Sequence, residues 1–215
     1  VSGITDSSAT TLNSSAAEID IPAGKEVLWA GLFWQGYMVN KDDTFKEKGK
    51  SIKYKIEGAA TYESVTNAEM NWVHFSSSRM YYQSFVDITT YVNSNGGGFY
   101  WVGDIATTEG TPTGGSYGAW SIAVVYRDKN EKLNNTTVFH GYKAFAGTTD
   151  INNAISYANT NSCNAANTGV GNSVSSTLSG FLTPKAGTVE SSLIVFAGEG
   201  DTWGGSEYGY ITDAS

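Results

Sequence analysis

Three features of the sequence predict an all-β protein: a two-sheet antiparallel β-sandwich, jelly-roll or Ig-like, with little helix and one long loop insert. First, apolar residues alternate with period two. In YGAWSIAVVYRD, Trp120, Ile122, Val124 and Tyr126 share one face, while Ala119, Ser121, Ala123 and Val125 share the other. A strand produces that spacing and a helix cannot. Second, about ten such runs are separated by short turns bearing Gly, Pro or Asn, the pattern of packed antiparallel sheets. Third, the 215 residues are 40% hydrophobic and 13% aromatic, with no linker-like stretch, which suits one large core.

In chain order, residues 1–17 are mostly Ser, Thr, Ala and Gly. They read as a flexible arm, or as a strand donated to a sheet edge, before a single domain over 18–215. Ile19 and Ile21 alternate with acidic residues, Pro22 and Gly24 mark a turn, and Val27–Trp34 reads as a strand apolar on both faces. Lys41–Lys50 is charged and turn-like. Ser51–Glu57 alternates Ile52, Tyr54 and Ile56 with Ser and Lys, as a half-exposed strand does.

ATYESVTNAEMNWVHF holds one or two short strands. Asp87 can cap a short helical turn through Tyr91, which Asn95 and the following glycines end. GFYWVGDIATTEG is another strand, and TPTGGS a loop. Tyr117–Phe145 reads as the central antiparallel pair. YGAWSIAVVYRD, with a small apolar second face, is the central strand with Ile122 and Val124 buried. TTVFHGYKAF is its partner across a polar hairpin loop.

Gly147–Ser173 has no turn-delimited strands and reads as the loop insert, with a short helix feasible at Ile151–Tyr157. SSTLSGFLTP restores order, Leu193–Ala197 reads as a buried strand, and WGGSEYGYITDAS as an edge strand. PAGKEVLWAG and PKAGTVESSLIVFAG echo each other, as two strands reaching one core through the same kind of turn.

A net charge of −8 argues against a nucleic-acid surface, which needs clustered Lys and Arg. No run approaches the ~20 apolar residues of a membrane span. The lone Cys163 has no basic neighbour and reads as a free loop thiol. Abundant Ser, Thr, Asn and Gly with scarce Lys and Arg point to an extracellular or cell-surface protein. No signal peptide opens the chain, so it reads as a mature or excised form.

The blocks VLWAGLFW, YQSFVDITTYV, YGAWSIAVVYRD with NNTTVFHGY, and SGFLTP followed by LIVFAGEGD run in order from about Ile19 to Asp201. Together they resemble a domain of large bacterial cell-surface, adhesin-like proteins that carry tandem Ig-like repeats. The resemblance implies an exported β-sandwich and supplies no catalytic residues.

Enzyme signatures are scarce. His74 and His140 lie in separate runs without zinc spacing, and neither a G-x-S-x-G elbow nor a P-loop is present. Glu199 and Asp201 flank Gly200 at a strand end, where a turn suits oxygen ligands for Ca²⁺ better than an acid/base pair, with Asp104 as a further ligand. No EF-hand pattern supports that site, and a loop oriented by hydrogen bonds is the plainer reading. Trp203, beside Glu207 and Tyr208, has the best claim among the aromatics to an exposed ligand platform, since most of the others belong to a core.

The sequence thus predicts a non-enzymatic extracellular adhesion or structural domain. It would bind a cell, a matrix, a surface glycan or protein ligand. Two alternatives are a filament subunit that joins neighbouring copies by strand donation, and a carbohydrate-active enzyme with two carboxylates across a cleft.

Overall fold

A long strand, β2 (Glu26–Val39), sits between two neighbours and carries both a core face and an outer face. The structure is a computed structural model. It describes residues 6, 8–39, 44–74, 79–108, 116–132 and 134–142, with short pieces at 178–180, 182, 185–187 and 192–194. The other strands described are β1 (Ser14–Ile19), β3 (Ile52–Ile56), β4 (Glu63–Val65), β5 (Glu69–His74), β6 (Arg79–Asp87), β7 (Gly98–Gly103) and β8 (Gly118–Arg127). They form two antiparallel sheets in the orders β1-β7-β3-β4 and β5-β6-β2-β8. This is an all-β two-sheet sandwich. Ile52, Tyr54, Tyr100 and Val102 of the first sheet share one buried cluster with Leu32, Trp34, Met80 and Tyr82 of the second.

Local chemistry explains the elements. Before β2, the Lys25 N–H donates to the Pro22 carbonyl at 3.2 Å, and Gly24 takes a φ of +77° that favours glycine. Along β2, Ala30, Leu32, Trp34 and Met38 enter the core, and Phe33, Gln35 and Tyr37 point the other way. The expected helical turn is α2 (Thr89–Asn95). Asp87 Oδ1 accepts the Thr89 N–H at 2.8 Å, and the Gly96 N–H closes the far end on the Val92 carbonyl at 2.7 Å.

The turn-like stretch before Lys50 holds a short helix, α1 (Phe45–Gly49). Tertiary contacts account for it. Phe45 is buried, the Lys46 ammonium lies 4.7 Å from the Trp72 ring centre, and the Gly49 carbonyl accepts from Trp34 Nε1 at 3.0 Å and Ser84 Oγ at 2.7 Å. A Cβ at Gly49 would lie 2.5 Å from Met70 Sδ, so only glycine fits there.

Four expectations are corrected. The centre of its sheet is β2, whereas β8 ends the described sheet, with Ile122 and Val124 half-buried against the core. β2 carries large apolar groups on both faces and needs cover on both; the outer face of β8 is small. Residues 134–142 form no strand beside β8. They cross the outer face of the β5-β6-β2-β8 sheet, where the His140 ring stacks on Phe85 at 4.7 Å. Leu193 and Ile194, expected within a buried strand, are 50% and 95% exposed. Residues 14–17, assigned to the arm, belong to β1, paired with β7. The insert at 147–173 and the closing strand lie outside the described residues. No described helix is long and apolar enough to cross a membrane.

A cleft at the open edge of the sandwich

The largest cavity described lies where the start of β1, the end of β7 and the start of β8 meet, with a volume of about 210 Å³. Trp120 spans it. Its Nε1–H donates to Ser15 Oγ at 2.7 Å, joining the two sheets between residues 105 positions apart. Asn13 braces the opposite wall: its side-chain amide donates to the Ile105 carbonyl at 3.0 Å and accepts the Ile105 N–H at 3.0 Å. Gly118 keeps the mouth narrow, since a Cβ there would lie 3.0 Å from Ile105 and Thr107 methyls. The lining adds Ser14, Thr107 and Val102, so it offers an indole, hydroxyls, an amide and aliphatic carbon without an ionisable group. Such a lining suits a small, neutral, hydroxyl-rich ligand.

The second candidate is the outer face of the β5-β6-β2-β8 sheet. Strand register sets its side chains in rows. Glu69, Phe85, Phe33 and Ser121 form one; Asn71, Gln83, Gln35 and Ala119 the next; Val73, Tyr81 and Tyr37 a third. An amide row therefore lies between aromatic rows. Phe33 and Phe85 sit 5.0 Å apart, and Tyr37 and Tyr81 stack at 4.1 Å. The crossing segment covers these rows and leaves a notch of about 10 Å³ between His140 and Gln83, room for one water. Gln35 is 6% exposed, and its Nε2 is buried without a hydrogen-bond partner.

Charged groups gather around the N-terminal arm. Asp104 holds a φ of +63°, which Asp tolerates better than most residues. Its Oδ2 pairs with Lys53 Nζ at 2.8 Å, and its Oδ1 accepts the Leu12 N–H at 2.7 Å. Both oxygens of this expected Ca²⁺ ligand thus serve the junction of arm and sheet. Asp6 accepts from Ser14 Oγ at 2.8 Å, from Thr11 Oγ1 at 3.1 Å and from the Tyr62 hydroxyl. Partial burial raises its pKa, but these bonds outweigh that and hold the carboxyl below its ordinary value. Burial first, and then the Asp6 carboxylate, push the Tyr62 phenol up. Among the described residues no three His, Cys, Asp or Glu come together to hold a metal.

The other expected site residues, Glu199, Asp201, Trp203, Glu207 and Tyr208, lie outside the described residues, as does Cys163. The sequence reading missed Trp120 as a cleft residue, because its alternation marked it only as core-facing. It missed Gln35 too, although one amide inside the apolar run GLFWQGYM was a visible signal. Comparison with protein-family models, curated proteins and solved structures returned no match.

Proposed function

We propose that this chain is a non-enzymatic adhesion domain displayed at a bacterial cell surface, and that it binds a surface glycan through the Trp120 cleft. The cleft carries the reading. Its volume of about 210 Å³ suits one sugar ring. Trp120 supplies an apolar surface for ring C–H groups, and the hydroxyls of Ser14, Ser15 and Thr107 match sugar hydroxyls. The extracellular location rests on the composition and on the resemblance to adhesin-like surface proteins. A glycan array followed by calorimetric titration tests the reading. Thr107→Leu removes a hydroxyl and fills the cleft without touching the Trp120–Ser15 bond, so it should weaken binding at least about tenfold. An array with no bound glycan, or equal affinity in the variant, sinks the proposal.

The free edge of β8 favours a second reading, the subunit joined to its neighbours by strand donation, because an unpaired strand edge accepts an added strand.

A further inference from the structure

The β5-β6-β2-β8 sheet stops, among the described residues, at a strand that does not look like an edge. From Ala119 to Tyr126, β8 carries no charge and no proline, the devices that ordinarily protect an exposed edge. The core also thins out there. Val27 of β2 is 5% exposed, while Tyr126 opposite it on β8 is 39% exposed. Elsewhere the chain holds an apolar run without cover: Leu193 is 50% and Ile194 is 95% exposed, and the sequence continues as Val195, Phe196 and Ala197.

The run fits the edge in three ways. As a strand it would set Leu193, Val195 and Ala197 on one face and Ile194 and Phe196 on the other, so both faces are apolar. That is what a position between the core and the covered outer face requires, and β2 shows the same pattern in the same sheet. Both strands are also preceded by a Pro-to-Gly turn with a left-handed glycine, Gly24 at φ +77° and Gly187 at φ +100°. Finally, five residues match the stretch Ile122–Tyr126 and stop short of Gly118 and Trp120, which leaves the cleft open.

We propose that Leu193–Ala197 of the same chain adds to the free edge of β8 as the next strand. The edge is then sealed from within, and the domain works as a single unit. Copies do not join through this edge, so the proposal decides against strand donation there and stands apart from glycan binding.

Hydrogen exchange on the full chain, with and without Val195→Pro, tests it. Proline removes an amide and blocks strand pairing. The expected result is at least tenfold faster exchange across Ile122–Tyr126 in the variant, with β3 and β7 unchanged. Equal exchange of β8 in both proteins overturns the proposal. So does a mass on size exclusion that rises with concentration in wild type and stays monomeric in the variant, since the occupant is then a second copy. If Val195→Pro also exposes β3 and β7, a photo-crosslinker at Ser121 decides. Crosslinks to 193–197 within a monomer support the pairing, and crosslinks elsewhere reject it.

Discussion

The two faces of the β5-β6-β2-β8 sheet are both aromatic, yet they are finished differently. On the inner face the polar tips meet acceptors. Trp34 and Ser84 both donate to the Gly49 carbonyl, and the Tyr82 hydroxyl donates to the Ala106 carbonyl at 2.9 Å. Burial drives the Tyr82 phenol well above its ordinary pKa, as expected for a hydroxyl kept as a donor inside a core. On the outer face the rings stack on one another and on His140, while the Gln35 amide has no partner. Hydrogen bonds from buried groups specify one arrangement, because losing a partner strands a buried polar atom. Ring stacking under a crossing segment rests on area and tolerates adjustment. The inner face is the rigid half of this sheet, and the outer face is the adaptable half.

The largest test of that contrast is Trp34→Ala. It opens a cavity in the shared core and removes a donor from the Gly49 carbonyl, so the loss should be about 3–5 kcal/mol in urea unfolding. A loss near 1 kcal/mol would put the two faces on equal terms. Phe85→Ala comes next. It removes the ring that touches Phe33, Trp29 and His140 on a partly buried surface. The cost should be about 2 kcal/mol, below that of Trp34→Ala. A greater cost than on the inner face reverses the comparison.

Gln35→Leu should raise stability by about 1 kcal/mol, since an apolar side chain of similar size replaces a buried, unpaired amide. A fall in Tm would show that the amide is answered in solution and that the outer face is specified as tightly as the inner.

The smallest effect is a control that touches neither face. The Asp6 carboxyl is held below its ordinary value of 3.8, so the stability it gives the arm is present above that value. It is lost as pH falls through the lower, folded-state value. An NMR titration should place the Asp6 midpoint below 3.8. A midpoint at or above that value breaks the arm clamp and leaves the contrast between the faces standing.

Signals that act within a few residues were legible in the sequence. Period two separated Ile52 and Tyr54 from Lys53 and Lys55, and sorted Trp120, Ile122 and Val124 onto the core side, where the structure has them. Asp87, Asn95 and the following glycines bracketed α2, and Pro22 with Gly24 marked the turn before β2. Neighbours remote in sequence were not legible. Alternation shows that a strand has two faces, but nothing local says that Trp34 stands opposite Trp120, or that β2 rather than β8 lies at the centre. The helix α1 was hidden for the same reason: only Trp34, Ser84 and Trp72, brought in from other strands, make Phe45–Gly49 a place worth folding. The cleft was hidden as well, because it exists only where Trp120 reaches Ser15 across the two sheets. Local backbone preference chose the strands and their faces; long-range packing, which pairs residues by volume and by unsatisfied polar groups, decided how they were assembled.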